Sequence, residues 1–236
     1  MADLPLATTV LSVLASLPAG RAVGALGDAL PDRLWPAGQG WRGRPRPAVT
    51  AGTALVAAWS AAALPDVLVP VACLLGWALL LAALVDIRCR LLPDRVVLPL
   101  IPLGLAVAAW EAPADGRLAV LGGHGAAAAL GYASFAGLAA GYRRLRGRDG
   151  LGLGDAKLLA AAGAWVGVEG LSSVVLLAAL AALAVAAVLA LVRRQALAAG
   201  TSVAFGPYLA GALWVVWLHG PLSGAFLDPA LIVSAL

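Results

Sequence analysis

Long apolar segments separated by short polar loops are the feature of this sequence that most constrains its fold. They lie near residues 4–26, 49–64, 67–85, 96–110, 119–142, 155–168, 171–192 and 203–219. A helix needs about 20 residues to cross a bilayer, so the two shortest segments are expected to recruit flanking residues. The segments are rich in Ala and Leu and lack the two-residue alternation of membrane β-strands. The sequence therefore predicts an all-α polytopic membrane protein with about eight transmembrane helices.

The overall composition points to the same class of protein. Of 236 residues, 62% are hydrophobic and 12% are charged. Soluble domains typically carry about 25% charged residues, so an integral membrane protein is expected. The net charge of +4 is better explained by membrane topology than by a nucleic-acid partner, because polar faces with interleaved aromatic residues are missing.

Basic residues are confined almost entirely to alternate loops. All but one of the 16 Lys and Arg residues lie at or around the loops after the first, third, fifth and seventh segments. They are Arg21, Arg33, Arg42, Arg44, Arg46, Arg88, Arg90, Arg95, Arg143, Arg144, Arg146, Arg148, Lys157, Arg193 and Arg194. Because cytoplasmic loops are the basic ones, the pattern predicts that both termini lie on the outer side. The N-terminus lacks the basic region of a signal peptide, so 4–26 is expected to remain as the first span.

Two carboxylates lie at predicted cytoplasmic boundaries of the membrane. Asp86 ends the segment 67–85, and Asp155 begins the segment 155–168. Ionisable groups at such depths are costly and are functional candidates by default. Two carboxylates a few ångströms apart cannot both ionise cheaply, so one keeps a proton and polarises a scissile carbonyl while the other activates water. The pair is a candidate aspartyl dyad that needs no metal.

Asp155 belongs to the segment Gly-Leu-Gly-Asp-Ala-Lys at 152–157. Gly152 and Gly154 are expected to let the backbone approach closely, to adopt conformations closed to other residues and to keep side chains away from an extended substrate. The segment is not a dinucleotide-binding fingerprint, because a third glycine and a preceding strand are missing.

No metal site and no structural disulfide are expected. The two cysteines, Cys73 and Cys89, form no CxxC pair and lie in or beside one predicted span. Together with the histidines they do not supply the roughly four ligands of a structural zinc site.

Purely structural roles remain open for the same carboxylates. Asp155 at the start of a helix could be an N-cap. Asp86 at a helix C-terminus is poorly placed for the macrodipole, but an ion pair with Arg88 or Arg90 could offset that cost.

Four other ionisable residues have mainly structural interpretations. Asp94 follows Pro93 and is expected to cap the next helix. Lys157 could anchor the membrane interface or tune Asp155, and the sequence favours neither. His124 and His219 lie on the predicted outer side and are expected to be structural or incidental.

Three blocks in series carry a family resemblance. They are Val-Asp-Ile-Arg at 85–88 with Leu-Pro-Asp at 92–94, Gly-Leu-Gly-Asp-Ala-Lys-Leu-Leu at 152–159 running into Gly-Ala-Trp-Val-Gly at 163–167, and Phe-Gly-Pro-Tyr at 205–208. In order and spacing, over about residues 67–219, they resemble the bacterial type IV prepilin peptidases, which are GxGD-type aspartyl proteases. Presenilin-like proteases share the GxGD element, but the Lys-Leu-Leu and Phe-Gly-Pro context favours the prepilin branch.

The resemblance implies an eight-span peptidase of the bacterial inner membrane that cleaves the leader of type IV prepilins or type II secretion pseudopilins at the cytoplasmic face. Asp86 and Asp155 match the family's catalytic aspartates. Phe205, Gly206 and Pro207 match a block that we assign to the shape of the site. The implied partners are prepilin or pseudopilin substrates and membrane lipid. No cofactor is implied for proteolysis.

The N-terminal region departs from the family pattern. Many members carry a cytoplasmic module with two CxxC pairs between the first two spans, whereas the loop 27–48 is short, basic and free of cysteine. We therefore expect residues 1–236 to form a single membrane-embedded peptidase domain without a zinc-bound module. Members also N-methylate the new N-terminus, so S-adenosylmethionine is expected only if that activity is retained.

The charge of the leader raises a question of recognition. Prepilin leaders and the predicted cytoplasmic loops are both basic, so local acidic groups or lipid phosphates are expected to read the leader. The acidic candidates are Asp28, Asp32, Asp94 and Asp149.

Two other classes of function compete with the peptidase. A small transporter could use the aspartates as a proton or cation relay, but it would be expected to show carboxylates near the midplane and inverted repeats, and neither is evident. A non-catalytic scaffold for pilus or secretion assembly would use the aspartates only as caps.

Overall fold

The structure is a computed structural model, and it describes residues 12, 14–26, 46–147, 152–193 and 204–222. Over these residues the chain forms α-helices and contains no β-strand, so the predicted all-α class is confirmed there. The predicted loop 27–48 falls mostly on residues outside the described ranges, as do Asp28, Asp32, Arg148, Asp149 and Arg194.

Seven helices are found in the described ranges. They are α1 (residues 14–26), α2 (Arg46–Ala63), α3 (Val69–Cys89), α4 (Asp94–Glu111), α5 (Arg117–Arg146), α6 (Leu153–Arg193) and α7 (Gly206–His219). Each covers one or two of the predicted apolar segments, because a continuous apolar run is most stable in a membrane as a hydrogen-bonded helix. The count of eight spans stays a prediction.

Three of these helices are long and apolar enough to cross a membrane, by length and composition: Val69–Cys89, Arg117–Arg146 and Leu153–Val192. Leucine and valine side chains are exposed along the second half of α6, for example Leu183 and Leu191. Large exposed apolar surfaces are unfavourable in water but not in lipid. The helices therefore fit a membrane protein.

The chain divides into two compact units, Met1–Val96 and Val97–Leu236. The first unit contains α1, α2 and α3. Val23, Val49, Leu81 and Val85 are buried together at one end of these helices, and Ala57, Val69 and Cys73 form a second cluster. The expectation of a single domain stays a prediction.

Close contacts of small and hydroxyl residues hold α1 against α2. The Thr53 hydroxyl donates to the carbonyl oxygen of Ser16 at 3.1 Å, and its own backbone carbonyl accepts from the Trp77 indole at 3.1 Å. A Cβ on Gly20 would lie 2.8 Å from Thr50 Cα. The two backbones approach this closely because residue 20 has no side chain.

In the second unit, α5 and α6 pack in an antiparallel register set by glycines. A Cβ on Gly131 would lie 2.6 Å from the Leu159 carbonyl oxygen, and one on Gly163 would lie 2.4 Å from that of Ala127. From the first contact to the second, the residue number falls by four in α5 and rises by four in α6. Small residues at four-residue spacing are the usual means by which membrane helices approach each other closely.

Gly167 interrupts α6 with non-helical backbone angles, φ 65° and ψ −171°. The break falls at the end of the predicted segment 155–168, just before the segment 171–192, and the separation of these segments into two spans stays a prediction. A Cβ on Gly170 would lie 2.5 Å from Val166 Cβ. The bend therefore needs a left-handed glycine and a second glycine to make room for it.

Trp165 connects α4 and α7 to the first half of α6. Its buried indole donates to the Leu100 carbonyl oxygen at 2.8 Å and lies against Gly104, where a Cβ would be 2.6 Å from Trp165 Cδ1. On its other side it meets the ring of Trp217 edge-on, with centroids 5.1 Å apart. Trp165 is thus a central packing residue of the second unit.

Candidate active site

Asp86 lies in the last turn of α3 and is 5% exposed. The helix ends directly after it, because Arg90 adopts a left-handed conformation and its N–H donates to the Asp86 carbonyl oxygen at 2.8 Å. A buried carboxylate at a helix C-terminus is opposed both by desolvation and by the macrodipole. Its burial differs from what an ion pair on the surface would show, and the carboxylate is not without an interaction partner.

Asp155 lies in the first turn of α6 and is half-buried. Its backbone N–H already donates to the Gly152 carbonyl oxygen at 3.1 Å, so Asp155 is inside the helix and is not the N-cap that the sequence suggested. A carboxylate in the first turn still interacts favourably with the positive end of the helix.

The two glycines of the GxGD element do not use the left-handed conformations that were expected of them. Among the described glycines, positive φ angles occur at Gly147, Gly167 and Gly220, so this expectation for Gly152 and Gly154 is wrong. A Cβ on Gly152 would lie 3.8 Å from Asp155 Oδ2, an ordinary van der Waals distance, so alanine would fit there. A larger side chain at 152 would stand directly beside the carboxylate.

The packing register brings the Phe-Gly-Pro block to the same end of the second unit as Asp155. The glycine contacts pair residue 127 with 163 and residue 131 with 159. The same register, continued by one more turn, puts Phe135 of α5 at the level of Asp155 of α6. The ring of Phe135 contacts that of Phe205, with centroids 6.2 Å apart. Sequence reasoning missed Phe135, whose position could have been found only from the glycine register.

Phe205, Gly206 and Pro207 form the N-terminal end of α7. The Phe205 carbonyl oxygen accepts from the N–H groups of Tyr208 and Leu209 at 3.1 and 3.2 Å. Gly206 is buried, and Pro207 stands in the first turn, where its missing N–H costs nothing. The block therefore starts α7 and places an aromatic ring against Phe135.

The remaining candidates lie as follows. Asp94 is the first residue of α4, Lys157 is half-buried in the first turns of α6, and His219 is exposed at the end of α7. His124 has a defined contact, since its Nδ1 lies 3.0 Å from the Ala164 carbonyl oxygen, which matches the structural role expected for it.

The described residues contain no group of three or more His, Cys, Asp and Glu side chains that could hold a metal ion. The cysteines at 73 and 89 are both free thiols.

Asp86 belongs to the first compact unit and Asp155 to the second. Each aspartate is positioned by its own unit, and the dyad that would join them stays a prediction.

Comparison with known proteins identifies the family of this chain. The type IV leader peptidase family matches residues 73–188, a segment that contains both Asp86 and Asp155 but not the Phe-Gly-Pro block. No solved structure matches the chain.

Curated relatives carry the name "Prepilin leader peptidase/N-methyltransferase". The protein from Stutzerimonas stutzeri is 37% identical over 147 residues, which are 62% of this chain and 48% of the relative. That from Pseudomonas putida is 38% identical over 180 residues, 74% of this chain and 58% of the relative. That from Escherichia coli (strain K12) is 38% identical over 128 residues, 54% of this chain and 53% of the relative.

The chain thus spans about half the length of the curated relatives that it matches. The family predicted from the three sequence blocks is confirmed. Through residues 73–188 this chain belongs to the type IV leader peptidase family.

Proposed function

We propose that this protein is an intramembrane aspartyl peptidase that removes the leader from type IV prepilins or type II secretion pseudopilins. The observation that carries the proposal is the pair of aspartates inside the family segment, one of them buried at a helix end where a carboxylate is costly. Water and the scissile peptide meet between the carboxyl groups of Asp86 and Asp155, which approach each other in the working enzyme.

The proposed chemistry follows from two carboxylates that share one proton. The ionised carboxylate removes a proton from water, and the protonated one donates a hydrogen bond to the scissile carbonyl. Water then attacks the carbonyl carbon, and the proton passes to the leaving amine. Neither a metal nor a covalent intermediate takes part in this route. Gly152 leaves room beside Asp155 for the extended substrate, and Phe205, Gly206 and Pro207 line the same end. Lys157 lies near enough along the chain to influence the charge of the site.

We propose eight spans, both termini outside, and location in the bacterial inner membrane. Support comes from the exposed arginines at the ends of α3 and α5, such as Arg90 and Arg144, since basic residues favour the cytoplasmic side. Exposed Trp59 and Trp110 lie near the C-terminal ends of α2 and α4, which are the ends away from the basic loops. This position is expected for an interfacial aromatic belt. Both aspartates then lie at the cytoplasmic boundary, where a prepilin presents its cleavage site just before its own apolar helix.

N-methylation of the cleaved pilin is a second activity that the names of the relatives suggest. If the chain retains it, S-adenosylmethionine is the methyl donor. The proposed peptidase reaction does not depend on it.

The test uses purified protein, a prepilin and mass measurement of the pilin N-terminus. Wild type is expected to remove the leader, and Asp86→Asn and Asp155→Asn are each expected to abolish cleavage while the protein still inserts. Asp115→Asn, an exposed carboxylate in a turn, is the matched control and should cleave normally. Cleavage by either dyad variant would overturn the proposal. An added methyl group in the presence of S-adenosylmethionine would establish the second activity.

The same variants separate the competing functions. A scaffold would lose pilus assembly on mutation while the pilin was still processed. An ion relay would lose transport in vesicles without any change in the mass of the pilin.

A further inference from the structure

A groove of about 790 Å³ opens between α1 and α2 in the first compact unit. Its walls are formed by Arg21 and Ala25 of α1 and by Pro47, Thr50, Ala51 and Ala54 of α2. The volume lies within the range of small-molecule sites, about 300–1,000 Å³.

The groove lies beside the closest approach of the two helices. At Gly20 the backbones are so close that a Cβ would lie 2.8 Å from Thr50 Cα, whereas a Cβ on Gly24 would meet nothing within 4 Å. The wall residues Arg21 and Ala25 are one turn apart and therefore share one face of α1. Past Gly20 the contact is lost at Gly24, which leaves room for the groove, while Val23 and Val49 still belong to one buried cluster.

The chemistry of the walls selects an amphiphile. Most of the lining is alanine and proline, and an exposed guanidinium, that of Arg21, stands beside it. Arginine binds phosphate oxygens with parallel hydrogen bonds, and its stem covers apolar surface. A ligand with a phosphate next to a hydrocarbon body matches both features. S-adenosylmethionine matches them poorly, because its net charge is positive like that of Arg21 and its adenine and ribose would find few hydrogen-bonding partners.

We propose that this groove binds an anionic phospholipid, with the phosphate on Arg21 and an acyl chain along Ala25, Ala51 and Ala54. Cytoplasmic leaflets are rich in such lipids, and each basic residue near the surface adds to their attraction. The inference rests on the proposed topology, which puts this end of α1 at the cytoplasmic face, but not on the proposed peptidase activity, and its test does not use that activity.

Occupancy would also stabilise the end of α3 that carries Asp86. Val23 lies between two wall residues of α1, and Val49 lies between two wall residues of α2. Both valines belong to the buried cluster with Leu81 and Val85. A lipid that holds α1 and α2 together therefore supports the cluster directly before the buried carboxylate.

The test is lipid binding to the purified, delipidated full chain in detergent. Phosphatidylglycerol and phosphatidylcholine with identical acyl chains are titrated, and bound lipid is counted by native mass spectrometry. Wild type is expected to prefer phosphatidylglycerol about five-fold, the effect of one basic residue at an anionic surface. Arg21→Gln should remove this preference, and Arg21→Lys should keep most of it. Arg146→Gln, which removes an equally exposed arginine at the end of α5, should behave like wild type.

A second variant tests the apolar part of the groove. Ala51→Trp fills the cleft from an exposed position and is expected to lower binding of both lipids. Equal binding of the two lipids to wild type, an unchanged preference in Arg21→Gln, or unchanged binding in Ala51→Trp would each overturn the proposal. The proposal would also be overturned if wild type showed no lipid preference but bound S-adenosylmethionine, and if Ala51→Trp abolished that binding.

Discussion

Gly163 of α6 lies directly against the backbone of Ala127 in α5, so closely that a Cβ on the glycine would be 2.4 Å from the alanine's carbonyl carbon and oxygen. Both residues are buried. Backbone atoms cannot move aside as the end of a side chain can, so this contact fixes both the distance between the helices and their register. The position of Asp155 relative to Phe135 depends on it.

Gly163→Ala is therefore expected to push α5 and α6 apart. We expect the free energy of unfolding to fall by about 1–3 kcal/mol, the usual cost of overpacking a tight core. If the proposed peptidase activity is present, leader cleavage should slow as well, because Asp155 is carried by the displaced helix. Unfolding in mixed detergent micelles measures the first effect, and a cleavage assay measures the second.

Gly137→Ala is the matched control for this variant. Gly137 lies in α5, is exposed, and a Cβ there would meet nothing within 4 Å. Alanine is favoured over glycine in a helix by about 0.5–1 kcal/mol, so this variant should be as stable as wild type or slightly more so. Similar losses in both variants would contradict the packing explanation.

The contact between Phe135 and Phe205 should appear as a coupling energy. Their ring centroids are 6.2 Å apart with planes inclined by 34°, and aromatic pairs of this kind contribute about 0.5–1.5 kcal/mol beyond their burial. A double-mutant cycle with Phe135→Leu and Phe205→Leu is expected to give a coupling free energy in that range. The matched cycle pairs Phe205→Leu with Leu138→Ala, an exposed residue of the same helix, and should give a value near zero. Equal coupling in the two cycles would show that the ring contact contributes nothing specific.

Most of the helices could be predicted from the sequence, because an apolar run that must satisfy its backbone in a membrane has few alternatives to a helix. The predicted segment 67–85 became α3 (Val69–Cys89), and 119–142 became α5 (Arg117–Arg146). The C-terminal ends moved outward by about four residues, because arginines such as Arg88 and Arg143 continue the last turns. Polar residues extend a helix at little cost once its apolar part has formed.

The candidate site was only partly predictable. Charge pattern and motif were enough to select Asp86 and Asp155, because a carboxylate at a membrane boundary is conspicuous in a chain with few charges. Phe135 was not predictable, since a lone aromatic residue in a helix rich in Gly and Ala gives no sign of what it faces. The backbone at Gly152 was also predicted wrongly, because glycine serves equally for unusual φ angles and for space, and the sequence does not distinguish these uses.

The indole of Trp165 is expected to contribute through its hydrogen bond as well as its packing. Trp165→Phe keeps an aromatic ring beside Trp217 but leaves the Leu100 carbonyl without the bond of 2.8 Å. A buried hydrogen bond contributes about 1 kcal/mol net, so the free energy of unfolding should fall by roughly that amount or somewhat more. Trp110→Phe changes an indole that is 55% exposed and should have little effect. A loss confined to Trp110→Phe would contradict the role given to Trp165.

The break in α6 gives a prediction in which backbone strain and side-chain contact can be separated. Gly147 is left-handed helical, with φ 66° and ψ 11°, so alanine there should cost about 1–2 kcal/mol for its backbone conformation. Gly167 has φ 65° but ψ −171°, a region essentially restricted to glycine, so alanine there should cost more. The surroundings differ. A Cβ on Gly147 would meet nothing within 4 Å, whereas one on Gly167 would lie 3.3 Å from His124 Nε2.

The His124 ring has little freedom to move away, because its Nδ1 is held 3.0 Å from the Ala164 carbonyl oxygen. The contact with His124 should therefore add up to about 1 kcal/mol to the cost of Gly167→Ala, the net value of a hydrogen bond that is strained or lost. In a His124→Ala background the contact is gone, so the free energy of unfolding lost through Gly167→Ala should fall by that amount, while the loss through Gly147→Ala should not change. If the cost of Gly167→Ala were the same with and without the imidazole, it would come from the backbone alone, and His124 would not be the residue that stabilises the end of the first half of α6.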